Sequence, residues 1–235
     1  VSSIYFVPLM LEEEGLGQLL VDKLNLKAQP PELAQWKEMV RRLQTPREPV
    51  NIALVGKYVE LHDSYFSVRE ALHHAALSYN RDVNLLWISS ESLEKGDADS
   101  LLRSAQGIIM PGGFGIRGIE GMIKAATYAR EHKVPYLGLC LGMQVMVIEF
   151  ARHVLNTNEP NSTEFNANTK YPVIDYLPEQ KAMRNKGGTM RLGNYPCHIR
   201  PGTLTANAYG GQERIEERHR HRYEFNNEFR DILEK

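Results

Sequence analysis

Cys140 stands in Tyr136-Leu137-Gly138-Leu139-Cys140-Leu141-Gly142-Met143-Gln144, with a glycine two residues to either side. A short apolar run precedes it and a helical pattern follows. That spacing builds a sharp strand-to-helix turn with a nucleophile at its tip, the Gly-x-Ser-x-Gly elbow with sulfur in place of oxygen. The thiolate is the reactive form, and a helix N-terminus beneath the sulfur is expected to favour it. A buried structural cysteine is the commoner fate of a free thiol, but such a residue needs neither an elbow nor two flanking glycines. Cys197 has neither feature and reads as structural.

Three further groups have types suited to the same chemistry. The loop Pro111-Gly112-Gly113-Phe114-Gly115 can present a backbone N–H to a developing oxyanion, because glycine lets the backbone come close. The N–H of Leu141, next to the thiol, is the natural second donor. The same loop also suits an ordinary strand-to-helix turn or a phosphate cradle, although no Lys-Ser/Thr follows to make it a P-loop. Gln144 lies one helical turn after Cys140 on the same face, placed to bind a polar substrate or to sit solvated at the surface. In Glu217-Arg218-His219-Arg220-His221-Arg222-Tyr223 a strand would put the histidines on one face and the arginines on the other. An arginine there could hold a carboxylate bidentately. The run also fits a solvated charged face. No third ligand at a sensible spacing accompanies the histidines, so no metal site is expected.

Alternating strands and helices must position these groups. Strands are expected over Asn51–Gly56, Val83–Ile88, Ile108–Met110 and Pro135–Leu139, with helices over Ser64–Tyr79, Asp99–Ala105, Ile119–His132 and from Cys140 to about Phe150. This alternation predicts an α/β fold, three-layer and doubly wound on a mostly parallel sheet, with ligands at the carboxyl ends of the strands. The glycine loop and the elbow follow consecutive strands and so meet there. Before Val50, Ser3–Leu9 reads as a strand, Glu12–Leu24 as a helix, and Pro31 to about Gln44 as a second helix, followed by a proline-punctuated linker. Asn156–Lys170 reads as loop, Gly187–Gly193 as a flap or hairpin, and Glu216–Glu224 as a strand. The last ten residues start a helix and stop.

The 235 residues are 42% hydrophobic, enough for a sizeable core, and carry a formal net charge of -1. That charge argues against nucleic-acid or membrane-surface partners. Two cysteines make no disulfide framework, no signal peptide shows, and no apolar run suits a membrane span, so a cytoplasmic setting is expected.

The elbow Gly138–Gln144 together with the Gly112–Gly115 loop resembles the class I (triad) glutamine amidotransferases. Asn161-Ser162-Thr163-Glu164-Phe165, Gly187-Gly188-Thr189-Met190-Arg191-Leu192-Gly193, Glu217–Glu224 and the N-terminal Ser3–Leu9 narrow the resemblance, nearly end to end, to the CTP synthase family. The resemblance implies that residues 1–27 are the end of an amidoligase domain, 28–49 a linker helix, and 50–235 a glutamine amidotransferase domain. It implies that Cys140 is the nucleophile and that Gly113 and Leu141 supply the oxyanion hole. Gln144, Glu164 and Arg222 would bind L-glutamine, with Gly142 and Met143 of the same motif beside them. Arg222 would face the α-carboxylate and Glu164 the α-ammonium. Gly188, Arg191 and Gly193 would belong to a lid. For the whole protein the resemblance implies amination of UTP with ATP and Mg2+, activation by GTP, and a homotetramer.

The sequence also departs from that pattern. The family's base and its orienting carboxylate come from a His-Pro-Glu motif, and none occurs in these residues; His219 and His221 do not match it. The Walker-type loop and the UTP pocket are likewise absent. A fragment is therefore expected, with impaired glutaminase activity on its own. Two other readings stay open: a different cysteine hydrolase on an α/β sheet, and a catalytically incomplete interaction or regulatory fragment.

Overall fold

The computed structural model describes residues 3–176 and 191–235. The chain forms two compact units, one made of residues up to Val50 with Phe66–Asn84, the other of Asn51–Tyr65 with Leu85–Lys235.

In the first unit a 3-10 turn at Ile4–Phe6 runs into α1 (Val7–Glu13), followed by α2 (Leu16–Lys23) and α3 (Ala34–Gln44). The strand expected over Ser3–Leu9 is not formed. The Ser3 hydroxyl accepts the Tyr5 N–H at 3.3 Å, and Pro8 sits in the first turn of α1, where its missing N–H costs nothing. The single helix expected from Glu12 to Leu24 is broken at Gly15, whose φ of 78° ends one helix and opens the next. α3 starts at Ala34 rather than Pro31, with the Glu32 carboxylate accepting the Ala34 N–H at 3.1 Å. α4 (Phe66–Ser78) belongs to this unit and is tied to α3 by Arg42, which donates to the Leu77 carbonyl at 2.6 Å. Trp36 donates its indole N–H to the Tyr5 carbonyl at 2.9 Å, and the Tyr5 ring meets His74 edge-on.

β1 (Pro49–Gly56) and β2 (Asp82–Ser89) begin in the first unit and continue into the second. The second unit goes on with α5 (Ser90–Lys95), α6 (Ala98–Leu102), β3 (Gly107–Met110), α7 (Ile119–His132), β4 (Tyr136–Gly138) and α8 (Leu141–Leu155). The sheet order is β2-β1-β3-β4, and β3 runs parallel to both β1 and β4, with Leu54 opposite Ile109 and Met110 opposite Gly138. This is the expected α/β architecture. All four residues of β3 are buried, as a strand covered on both faces requires. In α7 the buried Ile119, Met122, Ile123, Ala126 and Ala129 recur every three or four residues; in α8 Leu141, Val145 and Ile148 do the same. α7 packs against α8, and α8 against β3 and β4. α8 runs one turn past the expected end and stops where Asn156 turns left-handed (φ 50°). α5 was not expected, because Ser-Glu-Ser-Leu-Glu-Lys carries too few apolar residues to show a period.

Two smaller sheets complete this unit. β5 (Asn161–Ser162), β6 (Pro172–Tyr176) and β9 (Tyr223–Phe225) form one, with β6 and β9 antiparallel. β5 falls in the stretch expected to be loop. β7 (Arg191–His198) and β8 (Arg214–His221) form an antiparallel pair, joined through α9 (Leu204–Ala208). A final 3-10 turn leads into α10 (Arg230–Leu233). Of the proposed lid residues, Arg191 and Gly193 lie in β7, opposite His221 and His219; Gly188 lies outside the described residues.

Candidate active site

The elbow owes its shape to its two glycines. A Cβ on Gly142 would lie 2.0 Å from the Met110 carbonyl oxygen, and one on Gly138 would lie 2.4 Å from the Gly142 carbonyl carbon. Only bare backbone lets α8 start this close to β3 and β4. Between them Cys140 is held at φ 53°, ψ -106°, a backbone position that a side chain occupies only under strain of order 1–3 kcal/mol. Leu139 N–H to Met110 O (2.9 Å) and Gln144 N–H to Cys140 O (3.1 Å) fix the turn from both sides. The strain lifts the thiol to the tip, at the carboxyl end of β4.

There it lines a cavity of about 320 Å³ with Gly113, Phe114, Gln144, Glu164, Arg220, His221, Arg222 and Tyr223. That volume suits a small polar molecule. The glycine loop lies against the elbow: a Cβ on Gly112 would stand 3.9 Å from Cys140 Sγ, and one on Gly113 would stand 3.1 Å from Leu141 Cδ2. Glu164 reaches the cavity from the turn after β5, where the buried Ser162 hydroxyl accepts the Glu164 N–H at 3.1 Å. Its carboxylate accepts the Gly115 N–H at 2.9 Å. Arg222 sits between β8 and β9, and its Nε is buried with no hydrogen-bond partner among the described residues. A buried guanidinium N–H without an acceptor is costly and suits an incoming carboxylate. Gln144 is buried and donates Nε2 to the Tyr223 carbonyl at 3.0 Å, which anchors the Arg222–Tyr223 segment to α8.

Two of the motif residues point elsewhere. Met143 lines a separate apolar groove of about 520 Å³ with Met146, Phe150, Val134 and Phe225. That groove is larger but lacks the thiol and its converging polar groups. Gly142 packs on Met110 beneath the elbow. In the other direction, the structure brings His221 to the cavity wall. His219 and His221 share one face of β8, as the alternation predicts, with His219 Nδ1 and His221 Nε2 2.8 Å apart and His221 Nδ1 3.0 Å from the Tyr223 carbonyl. Both ring nitrogens of His221 are thus engaged by partners other than Cys140. Burial first, with His219 and Arg191 adding to it, holds the His221 pKa below the ordinary imidazole value.

The helix terminus favours the Cys140 thiolate as expected, through the Leu141 N–H, but it does not act alone. Burial pushes the thiol above its ordinary value; the Leu141 N–H opposes this, and the Glu164 carboxylate adds to the rise. Although the residue as a whole is exposed, the walls around its sulfur cost the charged form more than one N–H returns. The thiol is therefore protonated at neutral pH and depends on a base. Its alkylation by iodoacetamide in the 235-residue chain, followed by peptide mass spectrometry, is expected to keep accelerating as pH rises past about 9. A plateau reached by about pH 7 would mean that the thiolate is stabilised after all.

Sequence reasoning missed Lys57 and Tyr223. Lys57 follows β1, is buried, and donates Nζ to the carbonyls of Phe114 (2.9 Å) and Gly115. Tyr223 contributes a backbone carbonyl, which no side-chain pattern reports.

The family model for class-I glutamine amidotransferases matches residues 60–235. The CTP synthase of Dehalococcoides mccartyi (strain ATCC BAA-2266 / KCTC 15142 / 195) is 60% identical over 235 residues, covering all of this chain and 43% of the relative. That of Chloroflexus aurantiacus (strain ATCC 29366 / DSM 635 / J-10-fl) is 58% identical over 234 residues, again covering 43% of the relative. The chain thus spans less than half the length of these curated relatives. Among solved structures, the Trypanosoma brucei CTPS glutaminase domain with bound acivicin superposes with a TM-score of 0.72 at 38% identity, covering 79% of this chain and 71% of that one. The chain belongs to the class-I glutamine amidotransferase family.

Proposed function

We propose that this chain is the glutamine-hydrolysing part of a CTP synthase and that the cavity at Cys140 is its glutamine site. The observation that carries the reading is the convergence of a strained thiol, an acidic Glu164 and an Arg222 Nε with no partner among the described residues on one small cavity. Glutamine offers matching groups: a carboxamide for the thiol, an α-ammonium for Glu164, an α-carboxylate for Arg222. The thiolate attacks the side-chain carbonyl carbon, and the Gly113 and Leu141 N–H groups receive the charge that forms on oxygen. Collapse of the tetrahedral intermediate breaks the C–N bond; the protonated nitrogen leaves as ammonia and a thioester remains. Water then attacks the thioester, releasing glutamate and the thiol. Because Cys140 is protonated at rest and both His221 nitrogens are engaged, we place the base outside these 235 residues, which leaves the chain on its own an impaired glutaminase.

In the complete protein the ammonia would aminate UTP at the expense of ATP, with Mg2+, under GTP activation and in a homotetramer; of this, the relatives named CTP synthase support the synthesis of CTP. We assign ATP and Mg2+ to other segments of the complete protein and route no step through them. In this reading residues 1–27 close the amidoligase domain, 28–49 link, and 50–235 hydrolyse glutamine. Arg191 and Gly193 of β7 would border the site as part of a lid. Among the described residues no helix is long and apolar enough to cross a membrane; a cytoplasmic setting fits the pyrimidine-nucleotide role.

Steady-state glutaminase kinetics of the complete protein test the substrate assignment. Arg222→Met should raise the KM for glutamine about a hundredfold, with kcat changed far less, because a carboxylate loses its charged partner. An unchanged KM would remove Arg222 from the site, and absence of glutamine hydrolysis in the unmutated complete protein would sink the reading.

A further inference from the structure

The glycine loop that would supply one oxyanion donor follows the short strand β3. Two side chains hold it. From one side Lys57 Nζ donates to the Phe114 and Gly115 carbonyls; from the other the Glu164 carboxylate accepts the Gly115 N–H at 2.9 Å. Lys57 is itself held in place. The Tyr65 hydroxyl accepts the backbone N–H groups of Lys57 and Tyr58, both at 3.2 Å, and Arg117 donates to the Lys57 carbonyl at 3.3 Å. Lys57 Cδ and Cε lie 3.6 and 3.8 Å from where a Gly113 Cβ would stand, so the lysine stem runs directly behind the donor peptide.

We propose that Lys57 is a positioning residue for glutamine hydrolysis, an internal clamp whose ammonium fixes the Phe114 and Gly115 carbonyls and thereby keeps the Gly113 N–H aimed at the oxyanion. The inference rests on the glutaminase reading above and adds to it a residue that touches neither substrate nor thiol. Two fixed carbonyl acceptors are a reason to bury an amine at this cost. Burial lowers the Lys57 pKa to about 8, with Arg117 adding to the fall and Glu164 and Glu94 opposing it. The amine is still protonated at neutral pH, so its N–H groups are donors to carbonyls when the site works. A preorganised donor gains over water because it need not reorient as charge develops; a loop with free carbonyls would have to.

The test uses the complete protein, with two electrophiles that both consume Cys140. A glutamine-derived chloroketone passes through a tetrahedral oxyanion, whereas iodoacetamide alkylates by direct displacement and forms none. Lys57→Met should lower kcat for glutamine about ten- to a hundredfold, leave KM within about threefold, and slow chloroketone labelling to match. Iodoacetamide labelling of Cys140 should stay within about twofold. Lys57→Arg, which keeps a donor fork, should recover most of kcat. Wild-type kcat in folded Lys57→Met, a rise in KM alone, or equal slowing of both electrophiles would each overturn the proposal. Should Lys57→Met fail to fold, Lys57→Gln is read against the same outcomes. If the unmutated protein itself lacks glutaminase activity, the functional reading fails; if it is active and the Lys57 variants match it, the clamp alone fails.

Discussion

Cys140→Ala is expected to remove glutamine hydrolysis from the complete protein, lowering kcat by at least about a thousandfold. The size follows from the role. The thiol forms the bond that replaces the amide, and no other nucleophile stands at the tip of the elbow; Cys197 lies in β7, outside the residues that line the cavity. The remaining groups, Gly113, Leu141, Glu164 and Arg222, can still bind glutamine, so affinity for the substrate should survive the substitution. Supplied with free ammonia, the same variant should still make CTP, because amination is assigned to other segments. Glutamine-dependent activity retained in Cys140→Ala would refute the nucleophile, and loss of the ammonia-dependent activity would show that the change damaged more than this site. Alanine also suits the site in volume, though not in backbone, since it inherits the φ of 53°.

Gly142→Ala should lower stability sharply. The new methyl would overlap the Met110 carbonyl oxygen, at 2.0 Å, and its carbon, at 2.8 Å. Both are backbone atoms of a fully buried strand, so neither swings aside as a flexible side chain would. Relief requires α8 to draw away from β3, opening the interface made by Leu141, Val145 and Ile148. Overpacking of this kind typically costs 1–3 kcal/mol, and a backbone clash belongs at the upper end, about 3 kcal/mol. A lower urea midpoint with an unchanged slope is the expected result, together with loss of glutaminase activity as the elbow shifts. A midpoint within error of the unmutated chain would mean that the glycine is not needed for close approach.

The Cys140 elbow was legible in the sequence because its requirements are local: two glycines at fixed offsets, a strand before and a helix after. Ile119–His132 was legible because its apolar period is long; the structure adds that Gly118 and Lys133 flank it in left-handed conformations. Ser3–Leu9 misled because its apolar residues mimic a strand, while the deciding elements were one cap and one proline. Glu164 and Arg222 lie far along the chain from Cys140, and only family resemblance connected them to it; tertiary folding, not spacing, brings them to one cavity. Lys57 was invisible for the same reason, since its partners lie 57 and 58 residues away and are carbonyls, which any residue carries. The help that the helix terminus gives the Cys140 thiolate was readable in sequence; the desolvating walls that outweigh it were not.

The most direct test of the account is intact-mass and peptide-level mass spectrometry of the complete protein quenched in acid during turnover with glutamine. The account predicts a covalent species carrying glutamate less one water, placed on Cys140 and absent when glutamine is omitted. A turning-over enzyme with no such adduct, or with the adduct on any residue other than Cys140, would contradict it.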